Sequence, residues 1–278
     1  MNPGAQAQDK LDHAPLDHRL ALSFTPAADR ARLAASFAVY LEIREVLVEC
    51  RDPGVAEVKL RWWEQEIEAL YAGKARHPIT QALAPSLTVL QGRQQLFLDL
   101  ITGTRMDIAA AGFASYEDVK RYCYRHSGAL AELQAVQLGA KSKEALLAAR
   151  LLGNSVRLAA IATAGTADAL RGKVYFAAED LQQHGVDRHI SGETHAEAPV
   201  LALVRDYASR ARAMHAEALA TLPQAERAAL LPWQVLGGLA QARVRRLERS
   251  GFSAGAVPVE SSPLSSLFTA WRAARRAR

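Results

Sequence analysis

Glu42, Glu45 and Glu49 are spaced by three and four residues, so on a helix they share one face. Such a row of hard oxygen donors can hold Mg²⁺, which commonly takes one or two carboxylates and completes its shell with water and phosphate oxygens. The same spacing also describes a solvated acidic face, and Arg44 beside the row favours that plainer reading. A second stretch, LAAIATAGTADALRGKVY from Leu158 to Tyr175, joins small residues to a basic turn. Alanine, threonine and glycine there either let helices approach closely or line an apolar tunnel, with Ala159 to Gly165 as the hint of a lipid-carrying channel. Arg171 and Lys173 offer an anion site or complement a helix dipole, and Asp168 is the single acid before them. His184, His189 and His195 fall in one polar stretch, but their spacing matches no standard zinc site. The chain carries no P-loop, dinucleotide fingerprint or Gly-x-Ser-x-Gly elbow.

The elements that position these residues read as helices throughout. Thr25-Pro26 opens one, on which Leu33, Phe37, Tyr40, Leu41 and Val48 recur at helical spacing, and Pro53-Gly54 closes it. A second runs from about 55 to 72 and stops at Gly73, and a third begins near Pro78. Ser115 to Asp118 resembles a capping box opening a helix to about 138, and the next covers roughly 143 to 164. Between Gly165 and Gly192 the pattern loosens into a flap or long connection holding one short helix, about 177 to 184. Long helices follow at about 197 to 222 and 224 to 249. With no internal repeat and almost no period-two pattern, one α-helical domain over residues 20–250 is expected. Residues 1–19 read as a frayed tail with no apolar core for a signal segment, and residues 251–262 as a Gly/Ser/Pro linker. The last helix, 263–278, puts Leu264, Leu267, Phe268 and Trp271 on one face and clusters Arg272, Arg275, Arg276 and Arg278 beyond them. Either the apolar face docks on the protein body, or it meets a membrane surface or a partner.

Composition narrows the class. Half of the 278 residues are apolar and 23% are charged, which suits a globular chain with a sizeable core. Arg or Lys interrupts every helical stretch before the ~20 apolar residues a bilayer span needs, so a soluble or peripheral protein is expected. Cys50 and Cys123 make no Cys-x-x-Cys pair and read as small core residues, in keeping with a reducing, cytoplasmic setting that extends to the inner membrane surface if the last helix binds there. The net charge of +5 favours anionic partners such as diphosphates, acidic lipid or an acidic protein face, and nothing points to nucleic acid.

Several short strings in order resemble the squalene/phytoene synthase family over about residues 20–250: Ser23-Phe24, Arg61-Trp62-Trp63-Glu64 with Tyr71-Ala72-Gly73, His77-Pro78, Met106-Asp107, Tyr122-Cys123-Tyr124-Arg125, and RGKVYFAAEDLQQHGVD from Arg171 to Asp187. The resemblance implies an all-α, isoprenoid synthase-like bundle around a central cavity, in which two acidic motifs hold diphosphates through Mg²⁺. It also implies cavity roles for Tyr122 and Tyr175. The departures matter. The family's Arg-Glu-x-Asp-Asp-x-x-Asp-Glu type of segment falls where this chain has Glu42 to Glu49, keeping only part of its acid. Its Asn-x-x-x-Arg-Asp-x-x-Glu-Asp falls on Ala160 to Asp168, where Ala160, Thr163, Ala164 and Ala167 replace the polar side chains. Glu45, Glu49 and Asp168, with Arg44, Arg171, Lys173, Tyr122 and Tyr175, are the candidate cavity set, and Glu45 and Glu49 the candidate metal ligands. The expectation is a non-catalytic member without a cofactor, or an active prenyl-diphosphate transferase using Mg²⁺. The aromatic segment Lys59 to Tyr71, the basic turn Arg171 to Phe176 and the ending Pro263 to Arg272 are also similar to a degenerate branch of the family, the mitochondrial assembly factor for respiratory complex I. That likeness implies a binding or assembly role.

Overall fold

Proline and capping side chains set most helix starts, and glycines in the left-handed region set several ends. In a computed structural model the described residues are 2–109, 112–188, 190, 197–252 and 261–277. Their α-helices run in the order α1 Pro3–Asp12, α2 Leu16–Ser23, α3 Ala27–Glu49, α4 Pro53–Tyr71, α5 Pro78–Leu83, α6 Gln94–Ala109, α7 Tyr116–Cys123, α8 Ala129–Gln137, α9 Lys143–Ala169, α10 Ala178–His184, α11 Ala198–Thr221, α12 Leu231–Arg249 and α13 Pro263–Ala277. Asp52 caps α4 through the Val55 N–H, and a full capping box of Ser115 and Asp118 opens α7. Gly73 (φ 71°) and Gly139 (φ 95°) turn the chain after α4 and α8, a backbone region that side chains with a Cβ avoid. Among the described residues the sole β pairing is an isolated bridge from Phe113 to Ala177.

The apolar interior has two lobes that meet at Val156 of α9. α9 is the central element, packed on α8, α11 and α12, while α3 packs on α6 and α8 on the other side. It is also the one described helix long and apolar enough, by length and composition, to cross a membrane, contrary to the expectation that charge interrupts every run. Most of that apolar window is buried in the protein itself. The helix tolerates close neighbours because of its small residues: a Cβ on Gly153 would lie 2.5 Å from the Ser127 carbonyl oxygen, and one on Gly165 would lie 2.7 Å from the Phe176 ring. Gly165 is therefore inside the helix, not the start of a flap, and the small residues serve packing on that side.

Residues 3–12, expected as a frayed tail, form α1 and pack along α3, with Ala7 and Leu11 buried. The physical reason is that α1 and α2 contribute both apolar and charged anchors. Lys10 pairs with Glu42 and Glu45, and the half-buried His18 ring meets Phe37 edge-on at 5.1 Å. Most of the expected linker, residues 253–260, lies outside the described residues, as do His189 and His195.

Candidate functional site

The site is built at the junction of α3, α6, α7 and α9. A π-helical turn, Tyr124–Gly128, links α7 to α8 and shifts the side-chain register at that point. It allows close backbone contact, since a Cβ on Gly103 of α6 would lie 2.6 Å from the Arg125 carbonyl oxygen. It also turns His126 inward, where Nδ1 lies 2.8 Å from the Ser127 hydroxyl and 3.4 Å from the Tyr40 hydroxyl.

Asp107, near the end of α6, is the hub. Its side chain is wholly buried, and Arg44 of α3 donates to its Oδ2. Its Oδ1 accepts from Tyr122 at 2.7 Å and from Tyr175 at 2.8 Å. Arg157 of α9 donates to the Tyr122 hydroxyl at 2.6 Å and lies over the Tyr122 and Tyr175 rings at 5.0 and 4.7 Å. Those rings stack at 5.5 Å, with Phe113 tilted against Tyr122 at 5.1 Å. A buried carboxylate is costly unless paired and hydrogen-bonded, and here three donors satisfy it directly. Burial alone would raise the Asp107 pKa, but Arg44 and Arg157 outweigh it and hold the carboxyl below its usual value. Burial, reinforced by the same two guanidiniums, pushes His126 well below the usual imidazole value.

The row of glutamates lies elsewhere. With ~3.6 residues per turn, Tyr40 and Arg44 point to one side of α3 and Glu42, Glu45 and Glu49 to roughly the opposite side. Glu42 pairs with Lys10 at 2.9 Å, Glu45 with the same ammonium, and Glu49 with Lys59 of α4 at 2.7 Å. Arg44 thus enters the interior, while Glu45 and Glu49 do not join Asp168. On α9, Arg157, Ala160, Ala164 and Asp168 form a partly exposed stripe, and the other residues from Leu158 to Ala169 are buried. Two methyl groups stand between its cation and its acid. Burial raises the Asp168 pKa despite Arg157, Arg171 and Lys173 nearby, and its partner Arg171 lies at 3.5 Å.

Beside the hub opens a cavity of about 360 Å³, with apolar walls from Met106, Phe113, Val174 and Tyr175 and polar groups from Asp107, Asp118 and Lys173. Of the expected set, Arg44, Tyr122 and Tyr175 meet at Asp107, Tyr175 and Lys173 line the cavity, and Asp168 pairs with Arg171 away from both. Glu45, Glu49 and Arg171 lie outside both, the glutamates paired with Lys10 and Lys59. Sequence reasoning missed Asp107, Arg157 and His126 as site residues. The available signal was Arg157, the one charged side chain between Leu151 and Ala167 of α9, and Asp107 near the end of the largely apolar α6, since an ionisable group in a core element needs a partner.

A family model described as squalene/phytoene synthase matches residues 16–265. The chain belongs to this family. Among relatives of the squalene/phytoene synthase chain, a 15-cis-phytoene synthase of Synechococcus elongatus is 28% identical over 168 residues, covering 55% of this chain and 54% of that one. Phytoene synthase 1, chloroplastic, of Arabidopsis thaliana is 27% identical over 164 residues, 56% of this chain and 39% of that one. The match thus spans about half the length of the first relative and less of the second. The fold is similar to a dehydrosqualene synthase solved with a ligand (TM-score 0.82, 18% identity, 99% and 97% coverage). It is also similar to the squalene synthase HpnC of Alicyclobacillus acidocaldarius (TM-score 0.80, 18% identity, 90% and 95% coverage). These support an isoprenoid synthase-type helical fold in one domain.

Active members of the family depend on Mg²⁺. The donors in this chain do not fit that ion. The α3 glutamates are closed by Lys10 and Lys59, Asp107 is engaged by three donors, and Asp168 stands alone on α9. Among the described residues no group of three His, Cys, Asp or Glu side chains is placed to hold a metal.

Proposed function

We propose that this family member binds one isoprenoid chain or its diphosphate in the cavity beside Asp107 and does not condense two of them. The observation that carries this reading is the internal neutralisation of the acids: Lys10 on Glu42 and Glu45, Lys59 on Glu49, and Arg44 with two phenols on Asp107. Ionising an allylic diphosphate needs strong electrostatic stabilisation of the leaving group, and losing one preorganised stabiliser commonly costs about 10² to 10³ in rate. A cavity of about 360 Å³ suits a single ligand. Its aromatic wall takes an apolar chain and Lys173 an anionic end. The binding or assembly role implied by the likeness to the complex I assembly factor belongs to the same reading, in which the fold is kept for recognition.

The second reading is an active prenyltransferase, supported by the relatives named phytoene synthase. Purified protein incubated with farnesyl or geranylgeranyl diphosphate, Mg²⁺ and NADPH separates the two. The proposal expects saturable binding that survives EDTA and weakens on Lys173→Ala, with no pyrophosphate release and no squalene- or phytoene-type product. Product formation abolished by Glu45→Ala establishes the second reading instead.

A further inference from the structure

α13 buries its small residues and exposes its large apolar ones. Ser266, Ala270, Ala274 and Ala277 pack inward, whereas Leu264 is 80% exposed, Phe268 57%, Leu267 47% and Trp271 44%. The four form a continuous row at helical spacing, and the Phe268 and Trp271 rings stack at 5.8 Å. Arg272 lies over Phe268 and Arg275 over Trp271, so cations border the row.

Behind it, α11, α12 and α13 enclose a cavity of about 710 Å³ lined by Arg212, Arg245, Arg272 and Arg276, with Glu248 as its acid. Glu248 is taken by Arg212. No ion pair joins Arg245, Arg272 or Arg276 to a carboxylate among the described residues. Burial and then the surrounding arginines push Arg245 below its usual value, so the cluster is held together against its own repulsion. The buried Nδ1 of His215, at the same cavity, has no partner. Guanidiniums match phosphate oxygens in charge and geometry.

We propose that α13 docks this protein on an anionic phospholipid surface, with Leu264, Leu267, Phe268 and Trp271 entering the interface and a lipid phosphate held by Arg245, Arg272 and Arg276. Charge complementarity and the apolar row together select this occupant. A helix of this kind lies in the plane of the interface, aromatic rings at headgroup level and arginines toward acidic lipid. A second copy would bring the same unpaired arginines to a two-fold contact. A nucleic acid would satisfy the arginines and leave the Leu/Phe/Trp row in water.

Flotation of the full chain with vesicles tests this, using phosphatidylcholine alone or with phosphatidylglycerol. Binding is expected on the anionic vesicles, at least about tenfold tighter than on neutral ones and weakened by salt. Trp271 fluorescence shifts to the blue, and the shift disappears in Trp271→Phe. Arg272→Gln with Arg276→Gln loses roughly tenfold in binding. Phe268→Ser with Trp271→Ser abolishes binding while the circular-dichroism melting curve stays in place, which separates docking from folding. Equal binding to both vesicle types, no flotation of the wild type, or self-association that these serine variants dissolve overturns the proposal.

Discussion

Two arginine clusters in this molecule carry opposite accounts. In the interior, Arg44 and Arg157 surround one carboxylate and two phenols: Arg44 donates to Asp107 and Arg157 to the Tyr122 hydroxyl, although the buried Nε of Arg157 has no hydrogen-bond partner. At the surface, Arg212, Arg245, Arg272 and Arg276 line a cavity whose single carboxylate, Glu248, pairs with Arg212 alone among the described residues. The difference lies in solvent. Buried guanidiniums must be neutralised where they stand, because desolvation is not repaid otherwise. Exposed ones remain unpaired at little cost and so stay available to an outside anion. The interior cluster is thus part of the fold, and the outer cluster is a surface open to a ligand.

The sharpest break of this contrast is Asp107→Ala. It leaves two guanidiniums in the interior without their carboxylate, an arrangement expected to cost about 3 to 5 kcal/mol. Urea unfolding should show that loss as a lowered midpoint with unchanged slope. A loss below about 1 kcal/mol would mean that water reaches the hub and that the interior cluster resembles the outer one.

Imidazoles occur beside both clusters: burial and then Arg245 lower His215 at the outer cavity, and the interior holds two more. Burial lowers His18 from 6.5 to about 4, with Asp17 opposing and Arg243 adding to the shift. His126 is lowered too, by burial and by Arg44 and Arg157. A depressed pKa in the folded state means that the unfolded chain binds more protons, so stability is full above pH 6.5 and is lost as pH falls toward the folded value. His18 alone should take away about 2 kcal/mol between pH 7 and pH 5. Melting temperatures across that range should fall in the wild type and fall less in His18→Leu and in His126→Gln. A flat wild-type profile would place both rings in water.

How far these features were legible follows from what makes each one. The caps at Ser115 and His77, the prolines and the left-handed glycines are local, so the helical order could be read directly. The one-sided spacing of Glu42, Glu45 and Glu49 was equally readable. Which way that side points was not, because it is decided by Lys10 on a helix taken for a tail and by Lys59 on α4. Asp107, His126 and Arg157 come from three separate elements, and their meeting depends on the π-helical turn and on the small residues that bring α9 close. No periodicity carries that information. For α13 the apolar row was visible, but that alanines rather than leucines face the body is set by the narrow space beside α12, where Ala273 lies 3.0 Å from a Cβ built on Gly238.

Lys10→Ala tests whether the α3 acids belong to either cluster. Lys10 and Glu42 are each 22% exposed and Glu45 is 40% exposed, so the lost pairs should cost no more than about 1 kcal/mol. The variant frees two carboxylates one turn apart, so Mg²⁺ should raise its melting temperature more than that of the wild type. An equal response would mean that Lys10 does not mask a metal-capable pair.

The smallest effect is expected where the comparison predicts none. Arg272→Gln with Arg276→Gln removes two exposed charges from a cluster whose members repel one another. Among the described residues no acid is paired with either arginine, so none loses a partner, and the buried alanine face of α13 is untouched. Stability should change by less than about 0.5 kcal/mol, and relief of repulsion gives the change a stabilising sign, strongest at low salt where screening is weak. Urea unfolding in low and high salt reads both the size and the sign. A destabilisation comparable to that of Asp107→Ala would show that these arginines hold α13 to the body and would erase the distinction between the two clusters.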